Sequence, residues 1–172
     1  MILNNAVNTG NFIYCVAHIT PNEKHSYYNQ GHGHYHQYAY IVDGYAVSHV
    51  RDSEDSDPLH TFRDDDRTQG ILLDLSSTLG KYHTITTKEQ GISMVLFNPI
   101  PETRKINVEI VTGPNTKTVS AGDKRIVLVS ITGPIYAGGK TLASLQHAKI
   151  FPGKTIELIV PENAICALVS DN

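Results

Sequence analysis

Cysteine, positive charge and long apolar runs are all scarce in this sequence, and each scarcity argues against a class of protein. The two cysteines, Cys15 and Cys166, lie near opposite ends of the chain, so no disulfide framework or cysteine-rich zinc site is readable. Lysine and arginine total 14 against 17 aspartate and glutamate residues, which leaves no basic footprint for nucleic acid and no polybasic patch for a membrane. No apolar run approaches the roughly 18 residues of a membrane-spanning helix, and the opening MILNNAVNTGNFIYC lacks the basic start of a signal peptide. We therefore expect a cytoplasmic protein with neither a nucleic-acid nor a membrane partner.

Helical periodicity is also scarce, whereas short β-rich runs recur along the chain. Turn sequences such as VDG, EQG, TGPN, AGD and PEN separate these runs. Many short strands at regular spacing are typical of an all-β sandwich or barrel. The predicted strands cover residues 11–19, 38–50, 70–76, 82–87, 92–98, 105–111, 124–131, 153–160 and 165–170.

The chain contains an internal repeat. GKYHTITTKEQGISMVLF (80–97) aligns without a gap with GKTIELIVPENAICALVS (153–170). Upstream, YIVDGYAV resembles VSITGPIY, which places Gly44 opposite Gly133. The sequence therefore predicts two copies of one small β-module.

The two copies differ by an acidic insertion. Gly44 and Gly80 are 36 residues apart, whereas Gly133 and Gly153 are 20 apart, and the difference of 16 is about the length of RDSEDSDPLHTFRDDDR (51–67). We expect this segment to be a solvated loop of the first copy. The predicted modules cover 1–100 and 101–172, and the Pro-rich stretch 98–104 is the natural linker.

Three histidines alternate with other residues in GHGHYHQYAYIVDGYAV (31–47). Residues two apart in a strand share a face and lie about 6.8 Å from each other. Two such imidazoles can therefore reach one ion through bonds of about 2.0–2.1 Å. Residues four apart are about 13 Å from each other, so only two of His32, His34 and His36 are expected to bind the same ion.

These residues resemble the motifs of the cupin superfamily. HGHYHQYAYIVDG resembles the first cupin motif, in which His-x-His is followed by a Glu and later by a Gly, and TLGKYHTIT resembles the second, Gly-x-x-His. The resemblance implies two tandem small cupin-type β-barrels, each a jelly-roll-like double-stranded β-helix, in a compact bicupin. It implies His32, His34 and His83 as ligands of one divalent metal, while His36 would line the pocket or lie exposed. Such a facial set with open positions suits iron, manganese, nickel or zinc.

The glutamate of the motif is missing. Leaving six residues (38–43) between the glutamate position and Gly44 arrives at Gln37, whereas strand alternation from His32 and His34 arrives at Tyr38, unless a β-bulge intervenes. We prefer Gln37, with Tyr38 as the alternative. Neither residue is a carboxylate, so a divalent ion would keep its full charge and act as a stronger Lewis acid. This pattern resembles the three-histidine cupins, among which thiol and diketone dioxygenases are found.

Two aromatic residues are candidates for the chemistry. Tyr38 and Tyr40 would line the pocket beside the ligands, where either could donate a proton or orient a substrate anion; aromatic residues in a strand are otherwise core residues. The resemblance then implies a dioxygenase-type enzyme acting on a small organic molecule. The alternative is a non-catalytic binding or assembly module whose metal is structural or absent. Either protein could form a homodimer.

The second module lacks the ligands. At the positions matching His32, His34, Gln37 and His83 the alignment places other residues. Because these positions provide no set of metal ligands, this module is expected to supply packing surface or a dimer interface. The matching residues are Ala121, Asp123, Ile126 and Ile156.

Overall fold

A computed structural model of the chain describes residues 2–28, 37–51, 60–62, 69–74, 82–101 and 104–172. The described residues form strands, turns and bends without a helix, which confirms the all-β prediction. Accordingly, nothing in these ranges is a helix long and apolar enough to cross a membrane. In chain order the strands are β1 (Ile2–Asn8), β2 (Phe12–Ile19), β3 (Lys24–Tyr28), β4 (Tyr38–Arg51), β5 (His60–Phe62), β6 (Leu72–Asp74), β7 (Tyr82–Pro99), β8 (Ile106–Thr112), β9 (Asn115–Ser120), β10 (Ile126–Thr132), β11 (Ile135–Ala137), β12 (Lys140–Leu142), β13 (His147–Ile150), β14 (Thr155–Val160) and β15 (Ile165–Asp171).

The chain forms two compact units, Met1–Arg104 and Lys105–Asn172. The first unit contains a seven-stranded sheet in the order β1-β2-β7-β4-β5, in which β3 also pairs with β7 and β6 with β4. The second unit contains two four-stranded sheets, β13-β10-β15-β8 and β12-β11-β14-β9.

A bent ribbon of β4 and β7 is the longest pairing in the first unit. Its ladder runs from Tyr38 opposite Phe97 to Arg51 opposite Tyr82, with one register shift before Gly44 and one after it. The sequence predicted a turn at EQG between two strands, but β7 continues through it. Gly91 has a φ of 68°, which bends the strand without ending it, because glycine adopts this conformation at no steric cost.

The two units repeat one strand order. In the first unit, β2 and β3 pair with the two halves of β7, and β4 pairs along both halves. In the second unit, β8 and β9 pair with β15 and β14, while β10 and β11 pair with the same two strands from the other side. Each long strand of the first unit is thus divided into two strands in the second.

The register of these ladders follows the alignment of the repeat. Val47 lies opposite Thr86, and their aligned residues Tyr136 and Ile159 also lie opposite each other. The close approach at the bend recurs as well. A Cβ on Gly44 would collide with the carbonyl of Gly91, and a Cβ on Gly133 would lie 3.2 Å from that of Ala164, the residue aligned with Gly91.

One apolar cluster fills the inside of the bent ribbon. It takes residues from both arms, before and after the Gly44–Gly91 crossing, so the arms fold over this face of the sheet, which we call the concave face. Alternation along each strand delivers one side chain in two to it. The cluster consists of Cys15, Ala17, Ile19, Ala39, Ile41, Ala46, Ile85, Ile92, Met94 and Leu96.

The core of the second unit lies between its two sheets. Leu128, Cys166 and Leu168 come from one sheet, and Ile135 and Leu158 come from the other. All five are buried. Apolar faces from two antiparallel sheets thus close on each other, as in a sandwich.

Candidate functional site

The predicted metal ligands fall largely outside the described residues. His32 and His34 lie there, as does His36, and for His83 only the backbone is described. Among the side chains that are described, no three His, Cys, Asp or Glu residues form a metal-binding group. The ligand set therefore stays a prediction, and the described neighbourhood supplies its surroundings.

Two residues define the backbone position of His83. It lies in β7, opposite Tyr27 of β3 on one side and Val50 of β4 on the other. Two positions further along, Ile85 belongs to the concave face. His83 is therefore on β7, the central strand of the first unit. It lies near the start of this strand, where β7 pairs with the part of β4 that follows Gly44.

His25 is a candidate metal ligand that the sequence did not indicate. It lies opposite Ile85 in the β3–β7 ladder, and opposed residues of antiparallel strands share a face, so His25 is on the concave face. The Cα positions of His25 and His83 are diagonal neighbours, a relation that separates residues by about 7–8 Å. Burial lowers the pKa of the half-buried His25 imidazole, which favours its neutral form. No sequence signal marked it, because β3 itself was not predicted.

Gln37 is anchored by a residue distant in sequence. Its Nε2 donates a hydrogen bond of 2.7 Å to Oδ1 of Asn98, and Asn98 is only 6% exposed. Gln37 alternates with Ala39, and Asn98 with Leu96; both of these apolar residues belong to the concave face. With Nε2 engaged, Oε1 is the amide atom that can face a cation. A role for Gln37 as the fourth ligand stays a prediction, with Tyr38 as the alternative.

Tyr38 and Tyr40 lie on the other face of the sheet. Tyr38 is opposite Phe97 and Tyr40 is opposite Val95, and alternation places all four away from the concave face. Tyr40 is 1% exposed, and burial raises the pKa of its hydroxyl. Burial, and then the charge of Asp74, raise the pKa of Tyr38. The two tyrosines thus share one face of the sheet, and Gln37 is on the opposite face. A catalytic role for the tyrosines stays a prediction.

The second unit shows which strand ends meet in this topology. A cavity of about 220 Å³ is lined by the start of β8, the end of β9, the start of β10 and the end of β15. The corresponding strands of the first unit are β2, β3, β4 and β7. Gln37 precedes the start of β4, Asn98 is at the end of β7, and Tyr27, opposite His83, is at the end of β3. The correspondence assigns them to one end of the first unit, which we call the mouth.

No family model and no curated protein sequence matches this chain. Solved structures match it over nearly its whole length. A cupin 2 conserved barrel domain protein from Leptotrichia buccalis has a TM-score of 0.55 at 12% identity, covering 99% of this chain and 88% of that chain. An oxalate decarboxylase–formate complex from Lactobacillus farciminis has 0.62 at 11%, covering 94% and 77%. A salicylate 1,2-dioxygenase from Pseudaminobacter salicylatoxidans has 0.51 at 10%, covering 94% and 71%.

The likeness at these identities concerns the fold. It agrees with the antiparallel strands, the bent ribbon and the repeated strand order, and it confirms the cupin-type all-β fold that the histidine motifs implied. The chain has a cupin-type fold.

Proposed function

We propose that this protein binds one divalent metal at the mouth of its first unit, through His32, His34 and His83 with Gln37 as the fourth ligand, and catalyses a dioxygenase-type reaction on a small organic acid. The observation that carries the proposal is the Gln37–Asn98 hydrogen bond on the concave face. The bond supports the proposal because it holds the neutral amide of Gln37, which would be the ligand at the position where the cupin motif has its glutamate.

The donor set fits such a metal. Three imidazoles suit iron, nickel, zinc or manganese, and an amide oxygen suits the harder ions of that group. Asn98 holds the amide of Gln37 in one orientation, as partners beyond the first coordination shell commonly do. When bound, the metal would supply a Lewis acid and, if it is iron, a redox centre. The chain's own contribution would be to position the ligands and to enclose the mouth with the apolar concave face.

The substrate class and the compartment are also part of the proposal. Two solved structures with this fold are named for reactions of small organic acids, oxalate and salicylate, and a metal ringed by neutral ligands keeps the charge that attracts a carboxylate. Cys15 and Cys166 are buried free thiols. Reduced thiols are typical of the cytoplasm, where we place the protein.

Metal analysis of untagged protein tests the site. We expect one metal ion per chain, measured by inductively coupled plasma mass spectrometry on protein purified without a nickel column. His83→Ala should abolish stoichiometric binding. His147→Ala is the matched control, because this histidine lies in β13 of the second unit, and it should keep the metal. Full occupancy in His83→Ala would refute the ligand assignment.

A second measurement tests the reaction class. Iron(II) is loaded anaerobically, nitric oxide is added as an oxygen mimic, and the electron paramagnetic resonance spectrum is recorded. A site open to oxygen should give a nitrosyl signal, and the His34→Ala variant should lose it. Absence of the signal from fully loaded wild-type protein would exclude the oxygenase.

A binding module is the second candidate. The observation in its favour is the burial of Tyr40 and the placement of both tyrosines away from the concave face, which leaves the mouth without an identified proton donor on β4. In that case the metal would be saturated by protein ligands, and metal content would be stoichiometric while the nitrosyl signal was absent.

A further inference from the structure

The second unit has a cavity that the metal proposal does not use. It lies where β8 and β15 of one sheet face β9 of the other, and its volume is about 220 Å³. Typical sites for drug-sized ligands measure about 300–1,000 Å³, so this cavity accommodates only a small molecule. Its apolar floor comes from Val119, Ile126 and Leu168, and its polar wall includes Asn107 and Ser170.

An ion pair bridges the two sheets at this cavity. Nζ of Lys117 in β9 donates to Oε1 of Glu109 in β8 at 2.5 Å. Both side chains line the cavity, and they keep 32% and 51% of their surface exposed. Ion pairs that are this exposed contribute little net stability. A ligand can therefore separate the two side chains without a large loss of protein stability.

We propose that this cavity binds a small zwitterion, a molecule that carries one carboxylate and one ammonium group beside a short apolar chain. The carboxylate would accept hydrogen bonds from Lys117, and the ammonium would donate to Glu109, which replaces one charge-assisted bond with two. The apolar chain would lie on Val119, Ile126 and Leu168.

The paired charges select this class over simpler ions. A plain carboxylate that reached Lys117 would lie beside the like charge of Glu109, and a plain amine would lie beside Lys117; like charges at this range repel. A neutral polyol can form hydrogen bonds with the wall but gains nothing from separating the pair. Only a molecule with both charges satisfies both side chains.

The cysteine of this unit does not line the cavity. Cys166 is fully buried in the core cluster that also contains Val119 and Leu168. Burial raises the pKa of its thiol to about 12, so it stays protonated. Cys166 therefore presents no thiolate to a ligand in the cavity.

Calorimetric titration of the full chain with L-leucine and three related probes tests the proposal. The probes are 4-methylpentanoate, which lacks the ammonium group, 3-methylbutylamine, which lacks the carboxylate, and xylitol, which is neutral. We expect L-leucine to bind at least about tenfold more tightly than each of the others. Equal affinity for either half-molecule, preference for xylitol, or no binding of L-leucine at millimolar concentration would overturn the proposal.

Matched variants assign the two contacts. Lys117→Met and Glu109→Gln should each weaken L-leucine binding about tenfold or more. Lys149→Met and Glu157→Gln remove the same charges from exposed positions of this unit that do not line the cavity, and they should bind as wild type. Unchanged affinity in Lys117→Met, with a circular dichroism spectrum like that of wild type, would also overturn the proposal.

Discussion

The crossing of Gly44 and Gly91 is the position where a single methyl group should do most damage. Gly44 has a φ of 91°, and a Cβ there would collide with the Gly91 carbonyl and lie 2.9 Å from Cα of Ile92. These obstacles are backbone atoms of the central strand, so they cannot move aside as a flexible side chain would. Gly44→Ala should therefore disturb the bend itself.

The magnitude has two parts. A left-handed conformation costs an L-residue about 1–2 kcal/mol, and the forced shift of packed neighbours adds about 1–3 kcal/mol. Gly10→Ala is the matched control, because Gly10 has a φ of 96° and nothing within 4 Å of a Cβ. The control should show only the conformational part. We expect Gly44→Ala to lower the free energy of unfolding by about 2–5 kcal/mol in total.

Urea unfolding measures the difference between the two variants. The sequence has nine tyrosines and no tryptophan, so tyrosine fluorescence and circular dichroism are the probes. Metal content of any folded Gly44→Ala protein should also fall, because the bend brings the two arms together. If the two variants unfold within about 0.5 kcal/mol of each other, a difference that surface substitutions commonly produce, the crossing is not as tight as the structure shows.

Three further predictions concern other parts of the chain. Asn98→Ala should weaken metal binding without unfolding the protein, because Gln37 loses its orienting partner. If the variant keeps one metal ion per chain in competition with a chelator, as wild type does, this prediction is wrong. Burial raises the pKa of both thiols, Cys15 and Cys166, so neither should react with Ellman's reagent until the chain is unfolded, and fast labelling of native protein would count against the core. Burial, and then the charge of Lys149, lower the pKa of His147. The unfolded chain then binds more protons, so stability should hold above the ordinary pKa of about 6.5 and fall as the pH drops below it; in urea unfolding at several pH values, His147→Gln should flatten this decline.

The sequence predicted strands where apolar residues recur and missed them where they do not. The strand at 12–19 and the strand at 165–171 have buried runs that mark them. KHSYY and NTKTVS are polar, and they become strands only because β7 and β14 offer them partners. The bend at Gly91 was predicted as a turn, since the same residues allow either, and only the continuous ladder to β4 decides between them.

The candidate site also has features that the local sequence predicts and features that it does not. The alternating histidines are local in sequence, so their pattern was readable. The contact of Gln37 with Asn98 joins residues 61 positions apart, and no local pattern predicts it. Alternation showed that Tyr38 and Gln37 lie on opposite faces, but not which face is concave, because both faces of β4 carry apolar residues.

The place of β7 and β15 in their sheets also bears on how the protein is made. Each is the last strand of its unit in chain order, and each lies between two partners that precede it. During translation β2, β3 and β4 leave the ribosome with their pairing groups exposed until β7 follows, and β8 and β10 wait in the same way for β15. Folding of each unit is thus completed by its final strand, and the first unit can close while the second is still being synthesised.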